Sequence, residues 1–298
     1  MKPAPFDYAR PGSVAQALEL LARPGAKVLA GGQSLVPLLS MRLAAPELLV
    51  DINGLDELAY VEADPAAPEE GVRVGALARH TDVLADEGAR AVQPLLARAV
   101  RLVAHPTIRN RGTTVGSIVH ADAAAEVPVV LALLGGRVTA ASSSGQRHIE
   151  AADLFVGPLE SSLRGDELAV EAVFPALAPG AGAAIEEVSR RHGDYALCGV
   201  AALVEAGPEP ERPRSVRAGY FSVCDIPTVV DLTPALAGGL TDAAHEDAAD
   251  LALASLDPQE DIHGTAAYRR QLVRVLTRRA VLAAHAESSQ RGRTLTAS

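Results

Sequence analysis

Apolar and polar positions along the chain switch repeatedly between a helical and a strand period. Val14, Ala17, Leu18 and Leu21 recur at helical spacing and Ser13 with Gln16 has capping-box spacing, so a helix is expected over about 13–22. Residues 27–30 read as a short buried strand running into Gly31-Gly32, 36–41 as a helical turn, and 48–51 as an apolar run ending at the turn signal Asn53-Gly54. A stretch rich in Pro, Ala and Glu, 63–71, marks a boundary. After it 72–74 alternates as a strand, Thr81 can cap a short helix, and 94–103 is helical. A polar turn at 142–146 separates two strand-like runs, 168–174 is a further strand, and 175–182 is a Pro-, Ala- and Gly-rich linker. Strand character returns at 185–189, 195–204 and 216–223, followed by helices over 242–255 and 265–286. The last helix carries Tyr268, Leu272, Val275 and Leu276 on one stripe. Arg270, Arg274 and Arg278 form another, read as a partner contact or a solvated face. Strands preceding helices within each section predict an α+β fold rather than a doubly wound sheet.

Composition narrows the function classes. The 298 residues carry a formal charge of -10, and 48% are hydrophobic, enough to build packed cores. No apolar run approaches the roughly 20 residues of a bilayer span, and the start MKPAPFDYAR lacks a signal-peptide core, so a cytoplasmic protein without a membrane span is expected. An acidic chain with 3% aromatics offers nucleic acid neither a basic face nor stacking platforms. Cys198 and Cys224 cannot supply the four thiolates of an ordinary iron-sulfur cluster; they read as free thiols, and any cluster must sit on another chain.

Three segments could carry chemistry. The first is Leu29, Ala30, Gly31, Gly32, Gln33, Ser34 and Leu35, directly after a strand. Consecutive N–H groups at such glycines can form a nest for an anion without a lysine, and a pyrophosphate would fit; a plain Gly-Gly turn is the alternative. The spacing is not GxGxxG, which removes the Rossmann reading. The second segment runs from Arg109 through Thr113, Thr114, Val115, Gly116 and Ser117 to His120, Asp122 and Glu126. Its hydroxyls and N–H groups can donate, and its carboxylates can accept from ribityl or ribose hydroxyls. The alternatives are surface ion pairs for Arg109 and Arg111, and a metal-like His120-Ala121-Asp122 with no third ligand at a useful spacing. The third is Arg190-Arg191-His192-Gly193-Asp194-Tyr195-Ala196, where Tyr195 either stacks on a flat heterocycle or is a half-buried strand residue. No nucleophile elbow, Cys/His constellation or Walker loop is present, so no catalytic residue and no metal ligand is assigned.

In order along the chain, F6-D7-Y8, AGGQSLVPLLSMRL, IRNRGTTVGSIVHADAAAEVP, RRHGDYA and DIHGTAAYRR resemble the FAD-binding medium subunit of the molybdenum hydroxylases, the carbon monoxide dehydrogenase and xanthine dehydrogenase family. The resemblance implies two N-terminal lobes holding FAD, 1–62 and 63–176, and a C-terminal α+β domain, 177–298, built of a small antiparallel sheet with helices. It also implies that Leu29 to Leu35 wrap the pyrophosphate and that Thr113 to Ser117 close on it. Asp122 and Glu126 would meet ribityl or ribose hydroxyls, Leu168 would lie near the flavin ring, and Tyr195 would shield one ring face. The partners implied are a large molybdenum-cofactor subunit, a small iron-sulfur subunit and a terminal electron acceptor.

Two positions depart from the family pattern. Val115 stands where a glycine is usual, and a β-branched residue avoids positive φ, so the loop must follow an ordinary backbone path there or lose one contact. Ala123 replaces a common proline. Val115 motivates an alternative, an assembly module of the same complex with weak or no flavin binding; a free-standing flavin oxidase is a third reading.

Overall fold

The computed structural model describes residues 2–207, 209 and 211–296. The chain begins with β1 (Asp7–Ala9), α1 (Val14–Leu21), β2 (Ala26–Leu29), α2 (Leu35–Met41) and β3 (Leu48–Asp51). These strands form a small parallel sheet in the order β1-β3-β2. Ser13 caps α1 as its spacing predicts, accepting from Gln16 N at 3.3 Å, while the Gln16 side chain accepts from Gly12 N at 2.9 Å. Ala17, Leu21, Leu48, Val50 and Ile52 bury the core beneath the sheet.

A second, antiparallel sheet follows. β4 (Val61–Ala63) and β5 (Val72–Gly75) lead into a helical stretch: α3 (His80–Ala85), α4 (Glu87–Val92), α5 (Pro94–Leu102), α6 (Pro106–Arg109), α7 (Thr114–His120) and α8 (Glu126–Leu134). The hairpin β6 (Arg137–Ser142) and β7 (Gly145–Glu150), then the turn α9 (Ala151–Leu154) and a separate short pair, β8 (Phe155–Gly157) and β9 (Glu160–Ser161), lead to β10 (Leu168–Phe174), which completes the sheet. The five-stranded order is β4-β5-β10-β6-β7. Thr81 does not cap α3: that helix starts two residues earlier than such a cap would place it, with Arg79 at the cap and Asp82 reaching back to its N–H.

The third sheet, β11 (Ala181–Ser189), β12 (Ala196–Glu205), β13 (Ser215–Phe221) and β14 (Thr228–Asp231), is an antiparallel meander. α10 (Thr233–Leu236), α11 (Asp242–Leu253) and α12 (Ala266–Thr296) come after it. Its alternating side chains divide between two cores. Ala183, Ala201, Leu203 and Phe221 pack with Val129 and Leu133 of α8, whereas Val200, Ala202 and Tyr220 pack with Val273, Leu276 and Ala280 of α12. This explains why α8, EVPVVLALL, is apolar on nearly every side: it lies between two sheets. The strands do precede helices in the C-terminal section, and the α+β expectation holds. Two of the three arginines of the stripe pair within the chain, Arg274 on Asp250 and Arg278 on Asp242 of α11.

Candidate functional site

Strand β2 delivers the first glycine segment, and β3 fixes its exit through Ile52 N bonding to Leu29 O at 3.1 Å. Gly32 has φ +72°, the left-handed turn that glycine allows, and Val36 N closes the first helical turn on Gly32 O at 3.0 Å. Among the described residues, the N–H groups of Gly32, Gln33, Ser34 and Leu35 have no hydrogen-bond partner. Gln33 turns its side-chain amide onto Gly31 O at 3.1 Å. The segment thus presents four consecutive half-buried residues whose donors point at no protein acceptor, the arrangement that binds an oxyanion.

The second segment arrives against the first, backbone to backbone. A Cβ on Gly31 would stand 2.6 Å from Arg111 O, 2.8 Å from Gly112 Cα and 2.9 Å from Thr113 N, so glycine is required there by contact rather than by its φ. The segment 113–117, expected as a loop from the resemblance, is the cap and first turn of the helix α7. Thr113 caps it, accepting from Gly116 N at 3.2 Å, and Thr114 Oγ1 lies 3.1 Å from Nδ1 of the buried His80. These two threonine hydroxyls therefore face inward and are engaged. Val115 is 1% exposed on the helix's inner side with an ordinary backbone, so its bulk meets the core. Gly116 and Ser117 are the half-buried members of the segment.

Residues outside the expected set hold the two segments together. Arg79 donates to Arg111 O and to Asn53 Oδ1, both at 2.6 Å. Asn53 donates to Ala30 O at 2.9 Å and to Asp51 Oδ1 at 2.6 Å, and Tyr8 donates to Asp51 Oδ2 at 2.5 Å. His80 N bonds to Gly112 O at 3.0 Å, and burial followed by the nearby Arg109 charge pushes the imidazole down to about 4, so it stays neutral. Sequence offered only a turn signal at Asn53-Gly54; nothing in the spacing of Arg79 and His80 pointed to a role.

Beyond α7, Ala121 takes φ 54° and turns the chain toward α8. Asp122 accepts from Ala124 N at 2.9 Å, and Glu126 opens α8 with 8% exposure. Burial, with Glu187 of β11 and Asp122 nearby, pushes the Glu126 carboxyl up to about 8, and burial pushes Glu187 up to about 7. One Glu187 oxygen is buried without a partner. Tyr195 is 67% exposed, yet its phenol is shielded on one side and close enough to Asp122 and Glu126 that its proton is held above the usual tyrosine value. Gly193, at φ +86°, sets this loop against His105: a Cβ there would come within 2.5 Å of the imidazole. The DIHG segment braces the arrangement from behind. Arg269 donates to Leu197 O, Ser222 O and Asp261 Oδ2, and Ser222 N bonds to Ala123 O at 2.8 Å. Leu168 is 2% exposed and packs in one core with Leu48, Val50 and Leu77.

The segments thus offer two kinds of polar group: the unpartnered N–H donors at 32–35, and the carboxylates of Asp122, Glu126 and Glu187, of which one Glu187 oxygen is buried without a partner. They suit a ligand carrying both a pyrophosphate and hydroxyls. No helix among the described residues is long and apolar enough to cross a membrane.

A family model described as the FAD binding domain in molybdopterin dehydrogenase matches residues 4–177, and one described as the CO dehydrogenase flavoprotein C-terminal domain matches 183–284. The 6-hydroxypseudooxynicotine dehydrogenase complex subunit alpha of Paenarthrobacter nicotinovorans is 42% identical over 285 residues, 94% of each chain. The carbon monoxide dehydrogenase medium chain of Hydrogenophaga pseudoflava is 34% identical over 294 residues, covering 96% of this chain and 99% of that one. Among solved structures, quinoline 2-oxidoreductase from Pseudomonas putida 86 superposes with a TM-score of 0.88 at 34% identity, covering 97% of this chain and all of the other.

Proposed function

The chain belongs to the family of FAD-binding medium subunits of the molybdenum hydroxylases, and from that premise we propose that its two glycine segments hold the FAD pyrophosphate between them while Tyr195 covers one face of the ring. The observation that carries this reading is the seam at Gly31, where two segments distant in sequence meet beside four unpartnered N–H groups. Gly32 to Leu35 donate to the phosphate oxygens, with Leu29, Ala30 and Gly31 setting their path. Thr113, Thr114 and Val115 shape the second wall from within, and Gly116 and Ser117 face the anion. Asp122 and Glu126 accept from the hydroxyls, and Leu168 backs the ring side of the site from the core. The units 1–62 and 63–176 form the two walls, and 177–298 supplies Tyr195.

FAD supplies the redox chemistry when bound, and the chain supplies binding, orientation and electrostatics. A donor on the pyrophosphate replaces water without charge, which suits a site whose lysines number two in the whole chain, Lys2 and Lys27. A hydroxyl donating to the buried Glu126 carboxylate stabilises its charged form and favours loss of its proton on binding. Tyr195 keeps water from one side of the ring. In this reading electrons reach the chain from an iron-sulfur subunit, which receives them from a large molybdenum subunit, and a terminal acceptor in the cytoplasm takes them up. Purification of the native complex tests the relay. The expected spectrum shows flavin and iron-sulfur bands together; a complex with flavin alone, turning over substrate on this chain, would refute it.

A further inference from the structure

The site so far holds an anion by backbone donors only, but Arg79 alters that balance. Its main chain is pinned at the start of α3, where its N–H donates to Asp82 Oδ2 at 2.8 Å. From there the side chain crosses to the seam of the two glycine segments. One guanidinium nitrogen donates to the carbonyl of Arg111, the atom that most closely faces Gly31, and the other to Asn53, whose amide holds Ala30 O. A single planar fork therefore ties the entry of the first segment to the entry of the second.

Both acceptors are neutral. Among the described residues no carboxylate forms an ion pair with Arg79, although eleven such pairs occur elsewhere in the chain. The two acids nearest in effect are otherwise engaged: Asp82 accepts the Arg79 backbone N–H, and Asp51 accepts from Asn53 and Tyr8. A half-buried cation with no ion-pair partner, and with the like charge of Arg111 nearby, is costly to fold around. It becomes favourable when an anion arrives at the same place, and a guanidinium keeps its proton there.

We propose that Arg79 is the positioning residue of the pyrophosphate cradle, its fork setting the separation of the two glycine segments and its unpaired charge lying behind them to meet the anion. The proposal rests on the FAD reading above. It is tested on the full chain, freed of flavin and titrated with FAD at low and high salt, with thermal melting as a control. In Arg79→Gln the FAD Kd rises at least about tenfold at low salt, its salt dependence becomes shallower because a screened charge has gone, and the melting midpoint stays near that of the wild type. Arg79→Lys restores the salt dependence but only part of the affinity, since an ammonium cannot reproduce the fork. A wild type that takes up FAD alongside an Arg79→Gln variant that binds it equally, or more weakly with an unchanged salt dependence, overturns the role of Arg79 alone. A wild type that takes up no FAD overturns the site reading itself.

Discussion

Replacing Gly31 by alanine adds one methyl at the seam. The new Cβ would sit 2.6 Å from Arg111 O, where a relaxed C···O contact is roughly 3.3 Å, so the segments must part by about 0.7 Å. The neighbours are backbone atoms, and the Arg79 fork holds that carbonyl in place, so no flexible side chain can absorb the strain. The φ of Gly31 is not positive, which means the cost is steric and not conformational. Overpacking of this kind costs roughly 1–3 kcal/mol. If the shift also breaks one charge-assisted hydrogen bond from either wall to a phosphate, the loss of affinity is about 2 kcal/mol, or close to thirtyfold in Kd. FAD titration followed by flavin fluorescence, paired with a melt of the flavin-free variant, measures both quantities. An alanine variant that binds FAD within about twofold of the wild type would refute the claim that the two segments grip one ligand at a fixed separation.

Other outcomes follow from the same geometry. In the flavin-free chain, burial raises the Glu126 carboxyl from 4.5 to about 8, so between those values the folded state keeps a proton that the unfolded state has released. Stability therefore falls as pH rises through that window, by up to roughly 5 kcal/mol. Glu126→Gln should flatten that fall in melts from pH 5 to 8.5, leaving the smaller contribution of Glu187; an unchanged slope counts against it. Arg269→Met removes three hydrogen bonds from a guanidinium whose side chain is 8% exposed and should lower stability by about 2–3 kcal/mol in urea unfolding; a loss below about 0.5 kcal/mol would show that the clamp is idle. Cys198 is fully buried, with its thiol pushed up to about 12 by burial. It should resist iodoacetamide at pH 8 in the native chain and react only on unfolding, as peptide mapping would show.

How far the sequence could be read depended on the range of the contacts. Local signals were legible: the Ser13 cap, the strand at 168–174 and the helix at 242–255 each rest on neighbours within a few residues. Gly32 was legible as a turn for the same reason. The helical state of 114–120 was not, because TTVGSIVH has little helix propensity and is held by the Thr113 cap, by Thr114 N on Ala78 O and by the burial of Val115 and Ile118. Gly31 illustrates the limit most clearly. It was visible as a flexible position, but its purpose is contact with residues 80 positions and more away, and no local pattern encodes that. Arg79 carries no local signal and Asn53 only that of a turn, both being ordinary polar residues until the fold brings them between the two segments.

If the two segments form one FAD site, the isolated full chain, freed of flavin, then given FAD and desalted, carries a flavin spectrum. One flavin is retained per chain, and most of it is lost in the Gly31→Ala variant under the same desalting. A folded wild-type chain that emerges without flavin absorption has no such site.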